Sequence, residues 1–367
     1  MSGIYIHIPF CHGKCFYCDF FSTPTRSDHK KYVEALEREF ASRRNEIVMP
    51  PSTIYLGGGT PSILPPSLLQ HIFDFLPLEK AEEITIEVNP EDVTESFAEF
   101  LSLSPVNRVS MGVQSMNDTE LKSIGRRHSA ADTVRAIRLL RQAGINNLSL
   151  DLIFGLPGQT GESWQNSLEK TLSLQPEHLS AYSLMYEPGT RLWAMRQAGK
   201  IAEISDEESE AMYFSLCRAT AEAGMLHYEI SNFCRPGFHS LHNSSYWDLT
   251  PYLGLGTSAH SFDGETRRHN LSDIHGYIES TAPVCIKEET TEDERIDEYI
   301  MIRMRTSEGL DIEKFTSLFG KKNTETVLFR ARPHISSGRL IKNGSMLQIP
   351  ERFWLTSDSI IIDLFQS

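Results

Sequence analysis

Residues 4–18 read IYIHIPFCHGKCFYC and bring three cysteines directly after a short apolar segment. The segment 4–8 has the length and the β-branched content of a buried strand. Cys11, Cys15 and Cys18 then follow in the spacing Cys-x3-Cys-x2-Cys. The stretch therefore predicts a first strand that ends in a loop of closely spaced thiols.

Outward from this loop, short apolar segments alternate with amphipathic helical patterns over the first two hundred or so residues. Six β/α units in series predict a parallel sheet with helices outside, and strands this apolar fit burial on both faces. Because a closed barrel needs eight such units, we expect an α/β fold with an open, partial (β/α)6 barrel and a site at the carboxyl ends of its strands. The predicted strands are 4–8, 53–56, 83–88, 108–113, 148–154 and 179–185, and the predicted helices are 29–45, 66–76, 94–103, 130–143 and 162–174.

The regular alternation stops after residue 232. The tail carries two helical patterns, 312–319 and 324–336, and then a hairpin signal at Asn343-Gly344. Helices followed by a hairpin resemble a winged helix. We therefore expect three parts: a barrel over 1–232, a linking segment over 233–285, and a small C-terminal helical, winged-helix-like domain over 286–367.

Composition limits the classes of partner. The 367-residue chain has a formal charge of −14, which opposes binding to nucleic acid or to an anionic membrane. Residues 307–367 carry eight Lys/Arg against seven Asp/Glu, which is no phosphate-binding face. No run of eighteen apolar residues occurs, so we expect no stable membrane insertion. The N-terminus lacks the layout of a signal peptide, which favours a cytoplasmic, reducing location.

The three clustered thiols are expected to hold an inorganic centre. Their odd number, the tight loops and the reducing location argue against disulfides. Zinc is the alternative, although structural zinc usually takes four protein ligands, and Cys217, Cys234 and Cys285 are scattered. A [4Fe-4S] cluster normally takes four thiolates, so three leave one iron open. S-adenosylmethionine (SAM) can chelate that iron through its amino and carboxylate groups.

The thiol loop and the segment GGGTPS at residues 57–62 together resemble the radical SAM superfamily. A closer resemblance comes from further segments over nearly the whole chain. It is to the coproporphyrinogen dehydrogenase-like branch and, within it, to the HemW-type heme chaperones, and it implies SAM, the cluster and a tetrapyrrole partner. The segments are YIHIPFC (5–11), EVNPE (87–91), GVQS (112–115), IGRRH (124–128), DLIFGLPGQT (151–160), YEISNFCRPG (228–237) and HNSSYW (242–247).

The resemblance also implies which residues contact SAM. A carboxylate such as Glu87 suits the amino group, and Asp151 suits ribose hydroxyls or a cationic centre. Arg126 could take a carboxylate through two hydrogen bonds. For each of these charged residues the alternative is a structural role, in which a neighbouring group pairs with its charge at a strand end or on a helix surface. For the glycines the alternative is a tight turn. The implied contacts are Tyr5, Tyr17, Gly58, Gly59, Thr60, Glu87, Gln114, Arg126 and Asp151.

Two departures separate the chain from the dehydrogenases of this branch. Where they have a further cysteine this sequence has Phe20, and their N-terminal extension ahead of the first strand is not matched here. HNSSYW instead matches the HNxxYW motif of the heme chaperones, which makes His242 the candidate axial ligand of heme. His7, His239 and His260 are rivals for that role.

The sequence thus predicts a radical SAM protein that binds heme and passes it to an apoprotein. An electron donor for the cluster is a further expected partner. The alternative within the branch is oxygen-independent oxidation of coproporphyrinogen III. A third hypothesis, from another class, is a winged-helix regulator with an iron–sulfur sensor, which the acidic charge disfavours.

Overall fold

Six parallel strands form the centre of the sheet in the computed structural model, which describes residues 2–24, 28–281 and 284–366. They follow one another in chain order, as predicted, so the partial barrel is confirmed. Their bounds lie within two residues of the predicted ones. They are β1 (Gly3–Ile8), β2 (Thr53–Gly58), β3 (Glu83–Val88), β4 (Arg108–Gln114), β5 (Leu148–Phe154) and β6 (His178–Ser183).

Helices connect these strands along the outer face of the sheet, and two more helices follow β6. In β1 the side chains of Ile4, Ile6 and Ile8 are fully buried in the apolar core, whereas Tyr5 and His7 alternate with them on the other face. The face of the sheet that points into the barrel is therefore polar. The helices are α1 (His29–Arg43), α2 (Pro66–Phe75), α3 (Glu95–Leu103), α4 (Asp118–Ser123), α5 (Ala130–Gln142), α6 (Gly161–Ser173), α7 (Arg191–Gln197) and α8 (Asp206–Glu222).

The sheet extends beyond the six predicted strands at both edges. The described residues give a twelve-stranded sheet in the order β12-β11-β10-β9-β1-β2-β3-β4-β5-β6-β8-β7. Strands of three or four residues are too short to show a period in sequence, which explains why they were not predicted. The division of the chain at residues 232 and 285 stays a prediction. The added elements are β7 (Leu226–Glu229), β8 (Asn232–Cys234), α9 (Leu241–Trp247), β9 (Tyr252–Leu255), β10 (His260–Phe262), β11 (Arg267–Asn270), α10 (Ile274–Glu279) and β12 (Cys285–Lys287).

The C-terminal part is a set of helices with a small antiparallel sheet, as the winged-helix-like prediction requires. Gly320 has a positive φ of 81° and divides the long helix in two, at the gap between the two predicted patterns. Its elements are α11 (Glu292–Met304), β13 (Leu310–Asp311), α12 (Ile312–Ser336), β14 (Ile341–Asn343), β15 (Met346–Gln348) and α13 (Ser357–Ile362). Within the described residues, no helix is both long and apolar enough to cross a bilayer.

Candidate cofactor site at the mouth of the barrel

A cavity of about 530 Å³ opens at the carboxyl ends of the central strands. This is the edge at which a parallel sheet with helices on its outer face is expected to place its site. Eleven of the thirteen predicted site residues line it; Tyr5 and His242 do not. The lining residues among the predicted set are Cys11, Cys15, Cys18, Tyr17, Gly58, Gly59, Thr60, Glu87, Gln114, Arg126 and Asp151.

The thiol loop is fixed by its backbone. The amide of Cys11 donates to the carbonyl of Thr23 at 3.0 Å, and the amide of Phe16 donates to the carbonyl of Ile124 at 2.9 Å. All three thiols of the loop are free of disulfides. Burial raises the pKa of the Cys18 thiol to about 11. A bound cation or metal centre is therefore needed to hold this sulfur as a thiolate at neutral pH.

The glycine-rich turn after β2 lies against the start of the thiol loop. Gly58 has a φ of 111°, and a Cβ on it would lie 2.6 Å from the His7 ring. A Cβ on Gly59 would lie 2.6 Å from the carbonyl oxygen of Phe10. The glycines are thus required by the protein's own packing, and their backbone forms part of the cavity wall.

Two half-buried carboxylates face the cavity from β3 and β5, on either side of β4. Glu87 accepts hydrogen bonds from the Tyr55 hydroxyl at 2.8 Å and from the Gly58 amide at 3.1 Å. Asp151 accepts one from the Ser110 hydroxyl at 3.3 Å. Burial raises the pKa of Glu87 to about 7 and that of Asp151 to about 6. Both groups can therefore bind a cationic or hydrogen-bond-donating ligand that restores their charge.

Arg126 joins the thiol loop to the strand ends. Its guanidinium donates to Asn89 Oδ1 at 2.6 Å, to the carbonyl of Gly112, and to Cys15 Sγ at 3.7 Å. Burial alone would lower its pKa, but Tyr17, Cys15 and other neighbours raise it above the usual value, so the group stays charged. Its Nε is buried and has no hydrogen-bond partner in the described part of the chain. Such an orphaned donor fits an anionic group that the protein binds.

A bulge at the end of β4 turns Gln114 toward the cavity. Gln114 has a φ of 64°, in the left-handed region that non-glycine residues seldom adopt, and the register with β5 shifts between Gly112 and Gln114. Bulges and residues of this kind concentrate next to functional sites, where they redirect a side chain.

Tyr5 and His242 lie outside the cavity, with His242 beside Thr53 and Glu83 at the amino ends of β2 and β3. The Tyr5 hydroxyl pairs with His7 Nδ1 at 3.2 Å. His242 is 1% exposed, and both its ring nitrogens are engaged: Nδ1 with Thr53 Oγ1 and Nε2 with the Tyr246 hydroxyl, each at 2.9 Å. Burial and the charge of Arg108 lower the pKa of His242 to about 3, so the ring is neutral. Iron ligation by His242 stays a prediction, and it requires that the ring give up one of these two hydrogen bonds.

The residues present fit an iron–sulfur cluster with an amino-acid-bearing cofactor. Three free thiols on one tight loop can bind three irons of a cluster. Glu87 and Asp151 offer acceptors, and the orphaned Nε of Arg126 offers a buried donor. The site thus offers partners for both the ammonium group and the carboxylate of a methionyl group beside the thiols.

Comparison with known proteins identifies the family. Residues 5–171 match the Radical SAM superfamily, and residues 290–355 match the HemN C-terminal domain. The heme chaperone HemW of Lactococcus lactis is 37% identical over 341 residues, which cover 89% of each chain. That of Bacillus subtilis is 36% identical with 88% of each covered, and that of Mycobacterium tuberculosis H37Rv is 31% identical with 98% of this chain and 93% of the relative covered. The chain belongs to the HemW family of radical SAM proteins.

A solved structure agrees with this membership at the level of the fold. Coproporphyrinogen III oxidase (HemN) from Escherichia coli superposes with a TM-score of 0.84, covering 100% of this chain and 90% of that one, at 23% identity. As a radical SAM protein of the HemW family, the chain uses a [4Fe-4S] cluster and SAM as cofactors. The assignment of individual residues to them is a proposal and is made below.

Three residues at the cavity were missed from sequence. Tyr55 and Ser110 hold the two carboxylates, and Asn89 bridges Arg126 to the Thr60 hydroxyl. Asn89 stands inside the motif EVNPE and could have been found there. Tyr55 and Ser110 carry no local signal, because only the pairing of neighbouring parallel strands brings each beside its carboxylate.

Proposed function

We propose that this chain is a heme chaperone that binds heme at the mouth of the barrel and transfers it to an apoprotein. The observation that carries the proposal is an apolar rim around a cavity lined with thiols. Phe20, Tyr182 and Met185 are 64%, 44% and 66% exposed, and all three line the cavity. The HemW relatives, named heme chaperones, support the same function.

The cluster is proposed to bind to Cys11, Cys15 and Cys18. When bound, it supplies an electron that can cleave SAM, and an electron donor is a further proposed partner. Arg126 donates toward Cys15 and so stabilises negative charge on that sulfur. Tyr17 closes the cavity beside these thiols.

The remaining cavity residues are proposed to hold SAM. Glu87 accepts a hydrogen bond from the amino group of SAM, beside the cavity wall formed by Gly58, Gly59 and Thr60. The unpaired Nε of Arg126 donates a hydrogen bond to the carboxylate of SAM. Asp151, held by Ser110, accepts from ribose hydroxyls. Gln114 presents its side-chain amide to SAM from the bulge. Tyr5 packs against the ring of Tyr55, 6.1 Å away, and so supports the cavity wall without lining it.

The rim is proposed to hold the porphyrin. A porphyrin is flat and apolar, and it carries two propionates at one edge. Lys14 and Arg127 are exposed and also line the cavity, so they can pair with these carboxylates. Phe20 occupies the position where the dehydrogenases have a further cysteine, and it adds apolar area in place of a thiol. We also propose that the chain works in the cytoplasm. Its net charge of −14 supports the further proposal that it has no nucleic-acid partner.

A heme titration tests the proposal. The protein is reconstituted anaerobically with iron, sulfide and SAM, and the Soret difference spectrum is followed as heme is added. We expect saturable binding near one heme per chain. Failure to bind heme, together with anaerobic conversion of coproporphyrinogen III to protoporphyrinogen, would establish the oxidase function instead.

A substitution of Phe20 is the most direct test of the rim in this titration. Phe20→Ser removes about 2 kcal/mol of apolar contact, so we expect heme affinity to fall by about tenfold or more. Phe329→Ser is the matched control, since Phe329 is 66% exposed on α12, outside the cavity. Equal heme affinity in Phe20→Ser and Phe329→Ser would show that the rim does not bind the porphyrin. His242→Ala in the same assay tests the predicted ligation, because unchanged heme affinity would show that this ring does not ligate the iron.

A further inference from the structure

A cysteine, a histidine and a glutamate meet where the barrel contacts the C-terminal part. Cys217 lies on α8, His227 on β7, and Glu351 in the short 3-10 helix Glu351–Thr356 that follows β15. His227 Nδ1 is 3.9 Å from Cys217 Sγ and 2.7 Å from Glu351 Oε1, and the three ligand atoms lie within 4.8 Å of one another. We call these three residues the junction cluster.

The His227 ring is held in place from both sides. The Phe233 ring stacks on it at 4.0 Å, and the Trp354 ring meets it edge-on at 4.3 Å. Its Nδ1 donates to Glu351 Oε1 at 2.7 Å, and its Nε2 lies 3.4 Å from the carbonyl oxygen of Ile230. A metal ion on Nδ1 would displace that proton and leave the proton on Nε2 to be donated to the carbonyl. Metal-binding histidines usually have this arrangement, with the outer nitrogen donating to a carbonyl or carboxylate.

The geometry argues against a nucleophilic triad. In a triad the histidine uses one nitrogen toward the nucleophile and the other toward the carboxylate. Here both Cys217 and Glu351 approach the same nitrogen, Nδ1. A sulfur, a nitrogen and a carboxylate oxygen that lie within 4.8 Å of one another are close enough to share one cation.

We propose that the junction cluster binds a zinc ion. Thiolate, imidazole and carboxylate are the three zinc ligand types, and a water molecule would complete a tetrahedron. The thiol disfavours magnesium and calcium, which prefer oxygen ligands. The Tyr213 hydroxyl lies beside Cys217 and can donate to its sulfur. Glu351 is 55% exposed at its side chain, which leaves a path for the ion.

The ion would tie the C-terminal part to the barrel. Two ligands belong to the barrel sheet and its covering helix, and the third begins the segment that leads into α13. Zinc binding would therefore lower the freedom of the C-terminal part relative to the barrel mouth. This inference is independent of the proposed heme function, because the junction cluster is not part of the cavity.

Zinc K-edge X-ray absorption tests the proposal, because it is blind to the iron of the cluster. The reconstituted holoprotein is stripped of loose metal, loaded with zinc, and measured together with its zinc and iron content. We expect about one zinc per chain, bound by one sulfur and otherwise by nitrogen and oxygen. Cys217→Ser and Glu351→Gln should each weaken zinc binding by more than the ~10–100-fold that loss of an outer-shell partner costs, with the iron content unchanged.

A matched control comes from a second group of possible ligands. His260, His269 and Glu288 also lie within reach of one ion, but they are more exposed and include no thiol. His269→Ala should therefore leave the zinc–sulfur signal intact. A zinc spectrum without sulfur, one with three sulfurs from the thiol loop, or equal zinc binding by Cys217→Ser and the parent would each overturn the proposal.

Discussion

Burial changes the acid–base behaviour of single residues at the barrel mouth. Glu87 and Asp151 both have raised pKa values because the surrounding protein keeps water from their carboxyl groups, and their hydrogen-bond partners are hydroxyl and amide groups. A ligand that donates hydrogen bonds or carries positive charge binds the ionised form better. The two carboxylates thus make cofactor binding depend on pH near neutrality.

Glu87 gives the first prediction at this scale. With a pKa of about 7, Glu87 is about nine-tenths ionised at pH 8 and about one-tenth ionised at pH 6. SAM affinity should therefore fall by roughly tenfold from pH 8 to pH 6. Equilibrium dialysis under anaerobic conditions measures this.

The Glu87→Gln variant is the control. It should bind SAM more weakly than the parent at pH 8 and should lose the part of the pH dependence that is centred near 7. If Glu87→Gln keeps the full pH dependence, another group binds the amino group of SAM.

At the scale of elements, the thiol loop depends on two segments far away in sequence. Phe16 packs on Gly125, where a Cβ would lie 2.6 Å from the ring, and the Arg191 guanidinium sits 3.8 Å from the ring centroid. The Leu192 amide donates to the Phe16 carbonyl at 2.7 Å. The start of α7 and the turn after α4 therefore hold the loop from outside the cavity.

Phe16→Ala tests this anchoring. Loss of the ring contacts should cost on the order of 2 kcal/mol locally and should loosen the loop without unfolding the barrel. We expect a lower yield of iron and sulfide per chain after reconstitution and faster cluster loss in air. Phe329→Ala is the matched control, because it removes the same ring at an exposed position outside the cavity. Equal cluster retention in Phe16→Ala and Phe329→Ala would show that the anchor is dispensable.

At the scale of the whole molecule, one buried carboxylate joins α1 to the extension of the sheet. Glu39 accepts hydrogen bonds from Arg43 at 2.7 Å, from the Gly256 amide at 2.8 Å, from Asn270 at 2.8 Å and from the Tyr277 hydroxyl at 2.5 Å. These partners come from α1, the end of β9, β11 and α10. The segment 252–279 is therefore attached to the barrel through Glu39.

Glu39→Ala should release this segment. Removing one partner of a buried, hydrogen-bonded ion pair costs about 3–5 kcal/mol. Hydrogen exchange should speed up in residues 252–279 and change little in β2 to β5. Glu99→Ala, at an exposed position on α3, should leave both regions unchanged. Uniform loss of protection across the sheet would mean that Glu39 supports the whole fold rather than the extension.

The sequence by itself determined the central strands, the thiol loop and the winged-helix-like tail. These features depend on local patterns: apolar runs between helical periods, cysteine spacing, and the turn signal of the tail. The candidate SAM residues, such as Glu87 and Asp151, came instead from the resemblance of their motifs to the radical SAM superfamily. Most of them meet in the cavity because parallel strands end at one edge of the sheet.

Only the tertiary structure decided how distant segments meet. It buried His242 against Thr53, 189 residues away, and so engaged both nitrogens of the predicted heme ligand. It also placed Cys217 and His227 beside Glu351, and it added the short strands β7 to β12 to the sheet. The physical reason is the same in each case: hydrogen bonds and packing between residues far apart along the chain leave no period in the local sequence.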